Sequence, residues 1–267
     1  MSTESTGGTI DRQTELRRFS KVTQRTEDEL GFLGPLDGAA LMKLRTQINT
    51  LLLKDFEPIF KKLAAGGKLM PDGLSAKLCM SVFGPRLTAN VAYYTPAERS
   101  TKLGYRFTPE FLAAVAHELI PERAEPLLRD QPVELMRPCT LIMLKEKDYY
   151  VMGSFVDFTP FEKLIALMDD IDDPLASLRI CSFCQRKDRM AQLVEHFSDQ
   201  QVSDFIQTAH EHDDLLTEVL RIASHMSEEQ KDRMKVMTTT LGDDYVQRSK
   251  ERGEALGLQA ELGRLWA

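Results

Sequence analysis

Thr95-Pro96-Ala97-Glu98 and Thr159-Pro160-Phe161-Glu162 repeat one chemical phrase at two distant places, and a third form, Thr108-Pro109-Glu110, follows close behind the first. Each offers a hydroxyl at a helix N-cap, a proline whose fixed φ suits the first turn, and an acidic group near the third position. Ser198-Asp199-Gln200-Gln201 and Ser227-Glu228-Glu229-Gln230 are serine–glutamine versions of the same capping box. The starts at 95, 108, 159 and 198 lie near multiples of thirteen residues apart. Weaker starts at Pro121-Glu122-Arg123, Pro132-Val133-Glu134, Asp172-Asp173-Pro174 and Gln185-Arg186-Lys187-Asp188 fill the gaps. A unit of that length holds a helix of two to three turns plus a connector. Helices so short are marginal alone, because nucleation is costly and few backbone bonds repay it, so they must stack on neighbours. Each unit supplies apolar anchors for stacking, such as Phe111, Leu112 and Val115, or Leu215, Leu216, Val219 and Leu220. The expected fold is all-α: a right-handed superhelical array of short helices preceded by a longer N-terminal helical segment.

On either side of the array the pattern changes. Leu41, Leu44, Ile48, Leu51, Leu52, Ile59, Phe60 and Leu63 recur at three- and four-residue steps and predict an amphipathic helix over 40–63. Pro58 predicts a kink or break near Phe56, and Gly66-Gly67 ends the element. The stretch 140–156 reads two ways. Its position fits another helical unit, whereas Thr140-Leu141-Ile142-Met143-Leu144 and Tyr149-Tyr150-Val151-Met152 flanking Lys145-Glu146-Lys147-Asp148 also suit a β-hairpin; a lone hairpin is marginal, which favours helix. The tail from Gly242 reads as one further amphipathic helix ending near Trp266, which serves as an anchor against the body or a partner. The expected organisation is a disordered 1–10, a helical segment 11–68, an array 69–241 and a helical tail 242–267.

Composition narrows the function classes. With 34 Lys+Arg against 41 Asp+Glu the net charge is −7, the wrong sign for a protein that neutralises phosphates, so nucleic acid is not the expected partner. At 42% hydrophobic the 267 residues can bury a sizeable core, yet no apolar run approaches the roughly 20 residues needed to span a bilayer, so no membrane insertion is expected. The polar start Met1-Ser2-Thr3-Glu4 lacks the features of a secretory signal. Four irregularly spaced cysteines read as reduced thiols rather than a disulfide framework, which points to the cytoplasm.

The runs Phe107-Thr108-Pro109-Glu110-Phe111-Leu112 and Phe197-Ser198-Asp199-Gln200-Gln201-Val202 carry a resemblance. Thr/Ser-Pro-x-Glu followed by a short Leu/Phe/Ala-rich helix, over about 95–240, is similar to the superhelical N-terminal domain of MgtE-type magnesium channels and the FliG-like helical repeats. The resemblance implies a fold and a scaffolding or regulatory role, with no functional residue attached. The chain departs from the channels in having no membrane segment and no recognisable nucleotide-sensing domain pair, so magnesium transport does not carry over.

Chemistry-bearing clusters are few. Cys181-Ser182-Phe183-Cys184 has the C-x-x-C spacing of zinc and redox sites, but no second pair exists; buried thiols on a helix face are the plainer reading. Asp169, Asp170, Asp172 and Asp173 could take Mg²⁺ weakly, without the glycine and terminal glutamate of a calcium loop, or form a solvated connector that caps the next helix. His210-Glu211-His212-Asp213-Asp214 is dense in ligands, yet neighbours on a helix fan out by about 100° and do not converge. Gly66-Gly67-Lys68 lacks P-loop spacing, and no G-x-S-x-G elbow is present. No catalytic or cofactor-binding residue is assigned. The expected function is a non-enzymatic interaction or scaffolding protein whose superhelical groove binds another protein or a second copy, with the 40–63 helix supporting oligomerisation. A divalent-cation-sensing regulator and an enzyme with a site between helices are the alternatives.

Overall fold

The computed structural model describes residues 10–266, and the expected disorder at 1–10 lies outside them except at Ile10. Every regular element in the described residues is helical. The chain forms two compact units, divided after Asp170.

The first unit opens with α1 (Arg12–Thr23), one 3-10 turn (Gly31–Leu33), α2 (Gly38–Lys54) and α3 (Glu57–Gly67). Asp11 caps α1 by accepting from the Thr14 N–H at 2.6 Å, and Asp37 caps α2 at Ala40. Leu16, Phe19, Leu30, Leu33 and Leu41 form the apolar cluster of this corner, with Leu36 and Leu44 against it. Gly38 is required where α2 begins, since a Cβ there would lie 2.2 Å from the Ile10 carbonyl oxygen. The chain breaks at Asp55–Phe56, as Pro58 in the first turn of α3 predicts. The amphipathic stripe over 40–63 is only partly used: Leu41 and Phe60 are buried, while Ile48, Leu51, Leu52 and Ile59 are exposed.

The array follows as α4 (Asp72–Leu78), a π turn (Cys79–Phe83), α5 (Gly84–Ala92), α6 (Ala97–Gly104), α7 (Pro109–His117), α8 (Pro121–Asp130), α9 (Val133–Lys145), α10 (Tyr149–Val156) and α11 (Phe161–Met168). The second unit continues with α12 (Pro174–Cys181), α13 (Lys187–Val194), α14 (Asp199–Glu211), α15 (Asp213–Ala223), α16 (Glu228–Thr239), α17 (Asp243–Ala255) and α18 (Gln259–Trp266). From Ala97 to Asp199 a helix begins every 12 or 13 residues, apart from one interval of 16 after Val133; beyond Asp199 the interval opens to 14–16. Within each unit the recurring contact is between a helix and its next neighbour but one: α4 on α6, α5 on α7, α6 on α8 and α7 on α9, then α12 on α14, α13 on α15 and α14 on α16.

Segment 140–156 is helical on both sides of a Glu146–Asp148 connector, with Asp148 capping α10. The hairpin loses because every residue from Val151 to Val156 is buried, an all-round apolar environment that a helix satisfies with its own backbone bonds. The tail departs from one helix: Gly257, at φ +72°, separates α17 from α18. Trp266 folds back so closely on Gly253 that a Cβ there would lie 2.2 Å from the indole ring, so the tryptophan docks on its own unit.

The caps divide into two kinds. Ser198 and Ser227 make full capping boxes with Gln201 and Gln230, and Thr108 accepts from the Phe111 N–H at 3.2 Å. Thr95 and Thr159 do not cap the helices they precede. Their hydroxyls donate backward to the Val91 and Phe155 carbonyls, at 3.1 and 2.9 Å, and close the preceding turns instead.

Small residues set how near the helices come. Ala76, Ala89, Ala113, Ala124, Ala176, Ala191, Ala209 and Ala223, one each in α4, α5, α7, α8, α12, α13, α14 and α15, are all at most 4% exposed. A second recurring device satisfies helix C-termini with cations from elsewhere. Lys163 donates to the Leu128 and Arg129 carbonyls, Arg137 to Ala166, Lys187 to Cys181, Arg233 to Phe197 and Arg248 to His210.

Candidate interaction surface

Several buried ionic groups hold helices together. In the first unit Glu15, fully buried in α1, receives the Arg45 guanidinium of α2 at 3.0 Å and Arg18 at 3.3 Å. Arg18 reaches on to Asp157, just after α10, and Arg45 to Glu122 of α8 at 2.6 Å. Burial alone would lower the Arg45 pKa, but the Glu122 and Glu15 carboxylates raise it, so the cation is fixed.

Those members of the sequence-predicted clusters that have partners are each engaged separately. Asp170 pairs with Arg137 at 3.2 Å in the first unit, and Asp169 is exposed at the end of α11. Asp173 belongs to the second unit, where it caps α12 by accepting from the Leu175 N–H at 2.9 Å, and Asp172 is exposed beside it. Cys181 and Cys184 are buried free thiols; Cys184 donates to the Arg186 carbonyl, and burial pushes the Cys181 thiol up to about 12. Lys187 lies between the Cys181 carbonyl at 2.7 Å and Glu218 at 2.8 Å, both contacts buried. His210 receives Arg248 at Nδ1, 2.8 Å away, which puts the ring proton of the neutral tautomer on Nε2, and its ring meets Tyr245 edge-on. Asp213 pairs with Arg252 and Asp214 with Arg179, so the members of 210–214 face different helices. Gly66 and Gly67 form the last turn of α3 rather than a loop. Among the described residues, no three His, Cys, Asp or Glu side chains converge on a point where a metal ion could sit.

One exposed region is unusually apolar. Of fourteen large hydrophobic side chains exposed among the described residues, nine lie between 48 and 82, so the exposure is concentrated in the α2–α5 region. Leu51 and Leu52 are each 67% exposed, Phe56 53%, Ile59 51%, Leu69 90% and Val82 69%. On α2, Ile48, Leu51 and Leu52 share one face by their three- and four-residue spacing. Monomers rarely leave contiguous apolar patches above a few hundred Å² uncovered, and larger ones mark binding sites.

No protein family, curated protein or solved structure matches the chain.

The surface around α2 and α3 is therefore characterised by its own chemistry. Lys54, Asp55, Glu57, Lys61 and Lys62 interleave with the exposed apolar side chains. Glu57 pairs with Lys61 on the same helix at 2.8 Å, and that bond draws its carboxyl below the usual range. Periodicity alone found the residues of this surface on one helix face without separating those that are buried, Leu41 and Phe60, from those left exposed. The distinguishing signal was local: the helix breaks at Pro58, and the C-terminal half of α2 runs past the apolar corner that buries Leu41. Among the described residues, no helix is long and apolar enough to cross a membrane.

Proposed function

We propose that this protein is a non-enzymatic, cytoplasmic interaction protein, in which the helical array supports a docking surface centred on the exposed side chains of α2 and α3. The observation that carries this reading is the concentration of exposed large apolar residues between 48 and 82. Scattered single hydrophobics need no explanation, whereas a concentration on one segment does. The resemblance of the Thr/Ser-Pro-x-Glu runs to the MgtE and FliG-like helical repeats points the same way, toward scaffolding or regulation. The ionic contacts also favour it, since the buried Glu15, Lys187 and Glu218 and the half-buried His210 are spent on joining helices.

The test is capture of partners by the wild-type chain and by a Leu51→Asp/Leu52→Asp variant whose circular dichroism is unchanged. Association, whether with another protein or between copies, is expected for the wild type and at least tenfold weaker for the variant. A variant that associates as well as the wild type would overturn the reading. Cation sensing through Asp169–Asp173 predicts instead a rise in melting temperature in millimolar Mg²⁺; a flat response is expected, because Asp170 and Asp173 already have partners.

A further inference from the structure

We propose that the exposed apolar surface of α2 and α3 is covered by a second copy of this chain, in an antiparallel two-fold arrangement whose axis passes between Asp55 and Phe56. This rests on the interaction reading above and names its partner. In a two-fold interface residue i of one copy meets residue j of the other and j meets i, so the stretch involved must be complementary to its own reverse. The segment 46–65 has that property. Counting outward from the helix break, Leu52 is matched by Ile59, Leu51 by Phe60 and Ile48 by Leu63, so apolar positions face apolar positions. Lys54 is matched by Glu57, an opposite charge, twice over by symmetry. Lys61 and Lys62 face the neutral Thr50 and Asn49, and Asp55 faces Phe56. No like charges oppose each other anywhere in 46–65.

The structure makes the matched residues nearest the axis available. Leu52 and Ile59 are 67% and 51% exposed, and Lys54 is exposed at the end of α2. Phe60 is turned into its own unit, so on the α3 side Phe56 and Ile59 supply the contact, against Ile48, Leu51 and Leu52 of the other copy. Glu57 is held by Lys61 through a half-exposed, solvent-screened pair on one helix and reaches Tyr94 as well, and Lys54 of the second copy would compete with these surface contacts. An anionic bilayer fits less well, because Asp55 and Glu57 sit among the lysines that would have to meet it. An unrelated apolar partner would need no mirrored sequence.

Sedimentation velocity and light scattering of the full chain over a range of concentrations test the proposal. The wild type is expected to be dimeric and Leu51→Asp/Leu52→Asp monomeric with unchanged helicity. Lys54→Glu and Glu57→Lys should each weaken the dimer about tenfold, since each sets two like-charge pairs face to face. Mixing these two variants in equal amounts should restore association, because every opposed pair is again of opposite sign. A wild type that is monomeric throughout overturns the proposal, as does a dimer indifferent to both charge variants or unrestored by mixing. The broader interaction reading fails separately, if association of any kind survives Leu51→Asp/Leu52→Asp undiminished.

Discussion

Arg45 shows most clearly what a single side chain does here. It is 2% exposed yet charged, and it is tolerated because Glu15 and Glu122 meet it from two other helices. Burying ions is costly, so such a cluster adds little net stability over apolar packing, but removing one member strands the others. Arg45→Met should therefore cost about 3–5 kcal/mol in a urea titration. Glu15→Leu combined with Arg45→Met should cost less than the two single changes summed, since fewer buried charges are then left unmatched. The thiols make a pH-dependent case. Burial pushes Cys139 and Cys181 up to about 12 each, above an unfolded thiol near ~8.5. A group whose folded pKa is raised contributes stability that is complete below the unfolded value and is lost as pH climbs toward the folded one. The melting temperature should accordingly fall between about pH 9 and 12, with Cys181→Ala blunting the fall; an unchanged slope in that variant would refute the assignment.

Caps and crossings decide the helices themselves. Ser227→Ala removes a hydroxyl that accepts from the Gln230 N–H at 3.2 Å and should cost about 1 kcal/mol. Thr95→Val removes a bond to a carbonyl that the preceding turn can still satisfy, and should cost less than half as much by thermal melting. The contrast marks how far the sequence was readable at this level. Helix starts were legible, because Pro at the first turn and an acidic group nearby are local signals: Pro109, Pro121, Pro174 and Lys187 all open helices. Which carbonyl or N–H a given threonine serves was not, because Thr95 and Thr159 choose between two nearby turns on geometry that composition does not encode. The alanines of the crossings were passed over for a similar reason. Anchors such as Leu193, Ile206 and Leu215 announce themselves by size, whereas Ala124 and Ala209 matter for the side chain they lack.

In the molecule as a whole, the division after Asp170 separates two sets of next-but-one contacts, each with its own core. Residues 171–267, built around Leu193, Ile206, Leu215, Leu216 and Leu220, are expected to give a helical spectrum and a cooperative melt when produced alone. A featureless unfolding baseline from that fragment would contradict the division. The candidate surface was half legible: periodicity identified Leu51, Leu52 and Ile59, but whether an apolar stripe points into the protein or away from it depends on how much neighbouring structure reaches it. The acidic run and the C-x-x-C pair were legible in their plainer senses, as a connector that caps the next helix and as buried thiols, whereas the separate partner of Asp170 was not.

The ionic link between Arg18 and Asp157 has one more consequence, for the order in which the chain is completed as it is made. Most ties between helices join residues 24–39 positions apart, as in Arg99 to Ser75, Lys163 to Leu128 and Arg252 to Asp213, so each can form soon after its second helix emerges. Arg18 and Asp157 stand 139 positions apart. At roughly 5–20 residues per second, a ribosome needs about 7–28 seconds to supply that partner. Helix α1, made well before Asp157, thus rests on α2 and on the Arg18–Glu15 pair alone until most of the first unit exists, and the far carboxylate is added late.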